Sequence, residues 1–536
     1  MEITRRGFIA GAGLGAAYLA LESRGLAETP KPGPKRLTLL HVTDTHAQLE
    51  THPEYLPGEN PTIQSMGGFA RLKTALDRER ASATGPSFLV DGGDEFQGSG
   101  PAAWSEGEIM LDPLNALGFD VFVPGNWEPA YGPARFLDQM RRLKAAVVCY
   151  NLHDTRTGAR LFAPAVTLER DGVKVAFVGV TDVLASKRQS PAMFAGMDTT
   201  RIEGLRKFVQ ELRRREQPDV AVAVTHTGLT IARQMAREIL EFDVVLSGHS
   251  HERTAEPILE GHVLVVEPGS MGSFIGRLDL TLRPGGGIAD HSFRLIPVLA
   301  NHYEEDREMK RIVDRVLAPH RERMEEVVAR TRTPILRYDV LETSADNLIS
   351  DAVREAAGAD IGLSNGFRFG LPIPPGMVRE GDLWNLLPLD ARLKVGWVTG
   401  AELKRYLEKE LELVFSKDPW KLSGGWGPRA SGLTMTYAAN AAAGRRLLSV
   451  KVNGKEVADD GRYRMAGCER EGEPLHVVCR HPGTHNVKVL PATIHQCLLA
   501  YCRRHGELAP RREGRAIAVD LPRAVFSQDA VLDHRA

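Results

Sequence analysis

The stretch Asp243-Val-Val-Leu-Ser-Gly-His-Ser-His251 joins a short apolar run to two histidines. Residues 244–246 predict a buried strand, and the Ser-Gly pair that follows ends it. His249 and His251 are two residues apart, and in extended backbone such residues face the same side. A loop at a strand end can therefore direct both imidazoles to one point, and neutral imidazole is the commonest metal ligand. On this stretch alone, an ordinary loop that happens to carry two histidines stays open as an alternative.

The same arrangement recurs at four other predicted strand ends. These ends are Asp44-Thr-His46 after residues 37–42, Asp91-Gly-Gly-Asp94 after 88–90, Gly125-Asn-Trp-Glu128 after 121–123, and Thr225-His226 after 220–224. One such end is usually a cap or a turn, but five in consecutive units are hard to explain in that way. Carboxylate, amide and imidazole donors suit Mn²⁺, Zn²⁺ or Fe²⁺. With about seven donors and a carboxylate available to bridge, we expect two divalent metal ions roughly 3.5–4 Å apart.

The length and charge of the chain limit its class. Its 536 residues predict two or three domains, and a net charge of -1 gives no general attraction to nucleic acid or to an anionic membrane. Apolar runs alternate with helical patterns across residues 36–300, which predicts a layered α/β domain. The charged residues 301–332 predict a bridging helix, and residues 333–520 a second, smaller domain.

Several helices are predicted within these domains. They cover residues 69–80, 107–117, 134–143, 201–215 and 230–241 of the first domain, and 344–357 and 399–413 of the second. Ser344 is the predicted N-cap of its helix, and Thr399 with Glu402 has the capping-box pattern. Residues 447–457, with Asn453-Gly454 at the turn, predict a hairpin.

The first residues predict an export signal. Thr4-Arg-Arg-Gly-Phe8 precedes an apolar run over residues 8–21, and Gly25-Leu-Ala27 has small residues where a signal peptidase cleaves. Residues 1–27 are therefore predicted to be a twin-arginine signal peptide, which places the mature protein in the periplasm. The alternative is a retained membrane anchor, but the run is short for a spanning helix of about 20 apolar residues.

Cysteine usage adds one open question. The chain has 5 cysteines, an odd number, so a disulfide framework is not expected. An oxidising compartment permits one or two disulfides among Cys468, Cys479, Cys497 and Cys502, and the sequence does not indicate which residues pair.

The five strand-end motifs, in this order and spacing, resemble the calcineurin-like metallophosphoesterases. Ser344-Ala-Asp-Asn-Leu348 and Ser364-Asn-Gly-Phe-Arg368 resemble the 5′-nucleotidase C-terminal domain. The resemblance implies an α/β fold (α+β overall), with a four-layer β-sandwich flanked by helices and a smaller α/β substrate domain. It implies one metal held by Asp44, His46 and His251. It implies a second held by Asn126, His226 and His249, with Asp94 as the bridge.

Two features depart from the nucleotidase pattern. Nucleotidases carry a His–Asp dyad where this chain has Trp127 and Ala130, and residues 465–474 lack the Gly-Gly-Asp-Gly motif beside the nucleobase clamp. Tryptophan cannot accept or deliver a proton. Trp127, residues 66–70 and 91–100, the segment around Arg368 and a Gly-Gly-Trp loop are similar to the SoxB proteins, the dimanganese thiosulfohydrolases of periplasmic sulfur oxidation. In SoxB proteins His often stands where this chain has Asn126.

The SoxB resemblance implies an exported hydrolase, with two Mn²⁺ ions as cofactors, that releases sulfate from a cysteine S-thiosulfonate on a carrier protein. The alternatives are a 5′-nucleotidase or broad phosphoesterase acting on small phosphoesters or nucleotides, and a non-catalytic metal-holding binding protein. The resemblance implies that Asn365 and Arg368 contact the substrate anion, since arginine suits bidentate contact with sulfate or phosphate. Trp426 and Arg429 are predicted to line the cleft, with loop packing as the alternative. No nucleic-acid partner and no membrane span after signal cleavage are expected.

Overall fold

The computed structural model describes residues 34–58, 60–364, 370–422, 427–523 and 525. The predicted signal peptide at residues 1–27 lies outside the described residues. Among the helices that the structure describes, none is long and apolar enough to cross a membrane.

Two six-stranded sheets form the centre of the N-terminal domain. The first has the strand order Ile288–Pro297, Phe274–Leu282, Arg36–Val42, Ser87–Asp91, Val121–Phe122 and Ala146–Val147. The second has the order Ile258–Glu260, Val263–Val266, Val244–Ser247, Val220–Thr225, Val173–Val180 and Ala165–Arg170. Four neighbouring strands in each sheet are parallel, and the remaining strands are antiparallel. The carboxyl ends of the parallel strands in each sheet therefore lie at one edge.

The two sheets pack face to face with helices outside them. Side chains from both inner faces, such as Leu39, Phe88, Phe177 and Val222, share one buried core. The rings of Phe88 and Phe177 meet edge to face with centroids 5.6 Å apart. Both faces of these strands are buried, which is why they are almost continuously apolar. This arrangement confirms the predicted four-layer sandwich.

Helices cover both outer faces. The helices of this domain are Phe69–Ala81, Gly100–Trp104, Leu111–Leu117, Pro133–Arg142, Ala185–Arg188, Leu205–Glu216 and Leu229–Glu238. The predicted helix over 107–117 is divided into the 3-10 turn Glu108–Met110 and the helix Leu111–Leu117. The predicted helix over 201–215 begins only at Leu205, because Gly204 has a left-handed backbone with φ 81°. Short strands pair as His52–Leu56 with Thr62–Met66 and His153–Asp154 with Met197–Asp198.

The prediction of a single bridging helix over 301–332 is wrong. The segment contains the helix Arg307–Leu317, the 3-10 turn Ala318–His320 and the helix Arg321–Glu325, and then the strand Val327–Thr331. Pro319 lacks a backbone N–H and clashes with a preceding carbonyl, so it interrupts the helix. Val327 and Val328 are β-branched and favour the extended conformation. This strand pairs with Gly376–Arg379, so the C-terminal sheets begin before residue 333.

Three sheets and four helices surround one contiguous core in the C-terminal domain. The five-stranded sheet has the order Ala430–Ser431, Ile361–Leu363, Arg462–Cys468, Arg392–Thr399 and His485–Thr493. The three-stranded sheet has the order Gly376–Arg379, Val327–Thr331 and Glu507–Leu508. The four-stranded sheet has the order Lys455–Glu456, Leu447–Val452, Leu433–Tyr437 and Ala516–Ala518. The described helices are Ser344–Ala357, Glu380–Leu386, Gly400–Phe415 and Ile494–His505.

Local signals predicted this domain well. The helix Ser344–Ala357 matches its prediction, and Thr399 with Glu402 forms the predicted capping box. The N-cap of the first helix is Thr343, however, and not the predicted Ser344. The Oγ of Ser344 instead accepts the N–H of Leu336 at 2.8 Å, so it is engaged in holding the preceding chain.

Candidate metal centre

Two groups of ligand-type side chains meet at the edge where the parallel strands end. One group is Asp44, His46 and His251, and the other is Asp94, His226 and His249; within each group the ligand atoms lie within 4.8 Å of one another. All these side chains are buried except His249, which is half-buried. The structure therefore brings together ligand-type residues from four of the five strand-end motifs.

Asp94 faces both groups. Its Oδ2 atom lies 3.0 Å from Nε2 of His226 and 3.9 Å from Nε2 of His46. In the first group, Nε2 of His251 lies 3.1 Å from Oδ1 of Asp44 and 3.2 Å from Nε2 of His46. Asp44 also faces both groups, since its Oδ1 lies 3.9 Å from Nε2 of His226. The two carboxylates therefore lie between the two groups of histidines.

The histidines are oriented for metal binding by backbone carbonyls. Nδ1 of His46 lies 2.8 Å from the carbonyl oxygen of Gln97, and Nδ1 of His226 lies 2.7 Å from that of Gly92. A carbonyl oxygen only accepts, so each Nδ1 carries a proton, and each Nε2 is directed into the site as the atom that would bind a metal. Oδ1 of Asn126 is also buried and has no hydrogen-bond partner among the described residues. These donors fit divalent cations with mixed nitrogen and oxygen ligands.

The site holds several ionisable side chains, including Asp44 and His226, that are buried from water. Burial alone would raise the pKa of Asp44, but His226, His251 and His46 around it hold that pKa well below its usual range. Burial opposes protonation of His226, yet the Asp94 and Asp44 carboxylates raise its pKa to about 10. Without metal, the imidazoles and carboxylates thus compensate one another, and bound cations would take over that role.

Glu128 aligns the loops that carry the ligands. Its carboxylate accepts hydrogen bonds from the backbone N–H groups of Asp94, Glu95 and Gly125. Burial and repulsion from Asp94 raise the pKa of Glu128 to about 7. The Gly-Asp and Gly-Asn loops are therefore tied to one buried side chain.

The backbone of the site is strained. Left-handed φ angles occur at Asp44 (54°), His46 (49°), Asp94 (61°), His249 (82°) and His251 (58°). Sparsely populated conformations of this kind cost on the order of 1–3 kcal/mol each and cluster at functional sites. Five ligand-type residues with such angles indicate that the surrounding fold imposes their positions for function.

A cavity of about 600 Å³ lies against the second group, between the two domains. Asp94, Asn126 and His249 contribute to its metal-facing side, and the C-terminal domain contributes Trp384 and Leu389. Trp127, 8% exposed, and Ala130 also line it, so the residue after Asn126 forms an apolar wall. A hydrogen bond joins the two domains near this cavity: the Tyr338 hydroxyl donates to the carbonyl of His251 at 2.9 Å.

The sequence prediction missed a group of cationic side chains in this cavity, namely Arg188, Arg392, Arg470 and Arg480. Arg188 forms an ion pair with Asp182, and its Nη2 lies 3.2 Å from Nε2 of His249. A signal was available, since Asp182 lies two residues after the predicted strand over 173–180 and marks a sixth polar strand end. The other three arginines come from the C-terminal domain and have no comparable local signature.

Comparisons with known proteins agree with this architecture. Residues 37–253 match the calcineurin-like phosphoesterase family, and residues 327–468 match the 5′-nucleotidase C-terminal domain. The chain combines a calcineurin-like phosphoesterase domain with a 5′-nucleotidase C-terminal domain. This two-domain make-up is that of a metal-dependent hydrolase.

The curated relatives have low sequence identity but match most of this chain. The trifunctional nucleotide phosphoesterase protein YfkN of Bacillus subtilis is 26% identical over 87% of this chain, although the chain spans only 34% of YfkN. The 5′-nucleotidase of Vibrio cholerae is 23% identical over 86% of this chain and 89% of its own length.

Two solved structures from Thermus thermophilus share the fold of this chain. The sulfate thiohydrolase SoxB has a TM-score of 0.83 at 24% identity, covering 93% of this chain and 99% of its own. A 5′-nucleotidase precursor has a TM-score of 0.79 at 21% identity, covering 91% of this chain and 100% of its own.

The predicted substrate contacts differ from the predicted metal ligands in where the structure places them. Asn365, Arg368 and Trp426 lie outside the described residues. Arg429 is buried by packing, as in the alternative to its predicted place in the cleft lining. Its buried guanidinium donates to Asp346 and to the carbonyl of Asp339, and it does not line the cavity. A buried arginine needs such partners, and the Asp346 carboxylate, which also binds Arg337, provides them.

Proposed function

We propose that this protein is a dinuclear-metal thiosulfohydrolase. Its substrate is a cysteine S-thiosulfonate on a carrier protein, and its products are sulfate and the carrier persulfide. Asp44, His46 and His251 would hold one ion, and Asn126, His226 and His249 the other. Asp94 would contact both ions, and the metals are proposed to be Mn²⁺. When bound, two such ions supply an activated water and neutralise developing charge on the sulfonate.

The observation that carries the proposal is Trp127 at the wall of the metal site, with Ala130 beside it in the cavity lining. An indole N–H donates a hydrogen bond but does not transfer a proton, and alanine transfers none. This wall therefore suits a leaving group that departs without protonation. A persulfide is such a group because it is a weak base, whereas an alkoxide leaving from a nucleotide gains from a general acid by about 10²–10⁴-fold.

The cavity chemistry supports an anion carried on a peptide arm. Arg188 and Arg470 are cationic and suit paired hydrogen bonds with sulfonate oxygens. Trp384 and Leu389 add an apolar side against which the arm could pack. The fold shared with SoxB is compatible with this assignment.

A second candidate is 5′-nucleotidase or broad phosphoesterase activity. The specific support for it is that the curated relatives are named for nucleotide hydrolysis. The two candidates differ in the leaving group, so the same enzyme sample can be tested on both substrates.

The deciding experiment measures sulfate release from a synthetic peptide bearing a cysteine S-thiosulfonate and phosphate release from AMP, with Mn²⁺ present. The proposal expects the peptide to be turned over far faster than AMP. Turnover of AMP at about 10 s⁻¹ or more, the rate of an ordinary enzyme, would replace it with the nucleotidase assignment. Failure on both substrates by a metal-loaded sample would favour the non-catalytic binding protein.

We also propose export to the periplasm by the twin-arginine pathway, supported by the Arg5-Arg6 pair before the apolar run. Replacing both arginines with lysine should leave the protein in the cytoplasm with residues 1–27 uncleaved. Unchanged export of that variant would contradict this route.

A further inference from the structure

Two cysteines lie together at the base of one cavity wall. Cys468 ends the strand Arg462–Cys468, and Cys479 follows the loop formed by residues 469–478. Their Sγ atoms are 2.9 Å apart, and the N–H of Cys479 donates to the carbonyl of Cys468 at 3.0 Å. Both side chains are buried, and both line the cavity beside the metal site. A small shift would bring the two sulfurs to the roughly 2.05 Å of a disulfide bond.

The loop that this pair closes forms a bridge to the N-terminal domain. Nη2 of Arg470 donates to the carbonyl of Arg188 at 2.6 Å. The carbonyl of Glu471 accepts from Oγ of Ser190 at 2.5 Å and from the N–H of Ala192 at 3.2 Å. Glu469, Arg470, Glu471 and Gly472 also line the cavity. The position of this loop therefore sets both the shape of the cavity and its contact with the opposite domain.

The surroundings favour thiol exchange at Cys479. The hydrogen bond from the Cys468 thiol lowers the pKa of Cys479 to about 7, against the effect of burial and with the help of Arg480. The thiolate is the species that attacks a disulfide, and the cavity gives a small molecule access to it.

We propose that Cys468 and Cys479 form a reversible disulfide that locks the 469–478 loop in place as the cavity wall. An organic disulfide, such as oxidised glutathione, is the oxidant. The Cys479 thiolate attacks one of its sulfurs and releases one thiol, and the Cys468 thiolate then displaces the second. Two cysteine thiols become one S–S bond, and the organic disulfide becomes two thiols, so that atoms and electrons balance.

This proposal stands apart from the proposed function, because bond formation is measured without any substrate. The full-length exported protein is first held in a buffer rich in oxidised glutathione. It is then denatured without reductant, alkylated and digested with trypsin. Cleavage after Arg464, Arg470 and Arg480 puts the two cysteines on separate peptides, 465–470 and 471–480. A disulfide therefore appears as one linked pair that separates on reduction.

Thiol titration gives a second count. Of the 5 cysteines, the oxidised protein should show 5 − 2 = 3 reactive thiols after denaturation, and the reduced protein 5. Cys468→Ser should show four thiols after reduction. In the oxidising buffer its Cys479 should carry one glutathione on peptide 471–480, with no linked pair, because the thiol that would displace the glutathione is missing. The matched control is Cys497→Ser in the helix Ile494–His505, which should keep the linked peptides. Full alkylation of both cysteines in the oxidising buffer, or linkage of either one to a different cysteine, would overturn the proposal.

The locking role has its own readout. In the native protein, trypsin should cut after Arg470 at least about fivefold faster once the pair is reduced, because a freed loop opens locally more often. Cys468→Ser should show the fast rate in both buffers, and Cys497→Ser should behave like the parent. Equal rates for the oxidised and reduced parent would show that the bond does not hold the wall and would overturn the locking part of the proposal.

Discussion

The backbone N–H of Trp127 donates a 2.7 Å hydrogen bond to Oδ1 of Asp94. The other carboxylate oxygen of Asp94 is thereby left facing the histidines, 3.0 Å from Nε2 of His226. The main chain of Trp127 thus positions a metal ligand, while its indole forms the cavity wall. Because the two roles use different parts of the residue, the side chain can be exchanged while the ligand stays in place.

The first prediction uses that separation. Replacing Trp127 with His and Ala130 with Asp should raise phosphomonoesterase activity on AMP by about tenfold, a modest part of the 10²–10⁴ available from acid–base catalysis. Sulfate release from a thiosulfonate peptide should fall or stay unchanged, since that leaving group needs no proton. Rates of the parent and the double variant are compared on both substrates. Equal metal content in the two proteins is the control, and a parallel rise on both substrates would contradict the prediction.

A second prediction concerns metal content. Elemental analysis of protein exported from its native host should give about two transition-metal ions per chain. Asp94→Asn should lose more metal than Asn126→Ala, because Asp94 faces both groups of histidines. A folded parent with metal content near zero would refute the metal centre. Equal losses in the two variants would refute only the bridging role of Asp94.

Gly125 provides a steric test of the same site. A Cβ atom at this position would lie 2.2 Å from Oδ1 of Asp94 and 2.7 Å from Cε1 of His226. Gly125→Ala should therefore displace the carboxylate and reduce bound metal by at least about half, since ligand misplacement commonly costs 10–100-fold in affinity. Gly483→Ala is the matched control, because its new Cβ would meet only ordinary contacts at 3.7 Å or more. Full metal retention in Gly125→Ala would contradict the geometry.

Arg188 is predicted to bind the substrate anion. Arg188→Gln should raise KM by about tenfold or more, in line with the loss of a charged hydrogen bond of about 1.5–3 kcal/mol, with a smaller change in kcat. Steady-state kinetics on the preferred substrate measure this effect. Arg206→Gln is a suitable control, because Arg206 is exposed and pairs with Glu241 away from the cavity lining. An unchanged KM would assign Arg188 to structure alone.

The buried Arg337–Asp346–Arg429 cluster predicts a pH-dependent stability. Burial alone would raise the pKa of Asp346, but Arg429 and Arg337 lower it to about 2 from a model-peptide value of 3.8. A lowered folded-state pKa stabilises the protein above the unfolded pKa, by about 2 kcal/mol here, and this contribution disappears as the pH falls from about 4 to about 2.

Asp346→Asn should therefore lower the urea midpoint strongly at pH 7, because it leaves two buried arginines without their carboxylate, at a cost of about 3–5 kcal/mol. The gap between variant and parent should narrow at pH 3. Asp459→Asn is the control, since its pair with Lys404 is exposed and worth at most about 1 kcal/mol. A gap of constant size from pH 7 to pH 3 would contradict the assigned cause.

Much of the fold was predictable because its signals are local. Buried strands are nearly continuous apolar runs, and helices such as Ser344–Ala357 carry their own periodicity and caps. The ligand-type residues could be predicted equally well from the sequence, since each lies close to the end of a strand that has parallel neighbours. The prediction failed for residues 301–332, where helix-forming charged residues masked the break at Pro319 and the strand Val327–Thr331.

The sequence by itself determined the two-domain phosphoesterase fold and the ligand set, because short-range patterns encode both. The tertiary structure decided which side chains share the cavity. It placed Arg188 against His249, closed the 469–478 loop through Cys468 and Cys479, and withdrew Arg429 into a buried ion cluster. Some of these contacts join residues that are far apart along the chain. Others depend on whether the folded protein buries a side chain or leaves it exposed. Their energies come from packing and charge compensation in three dimensions, which no local pattern records.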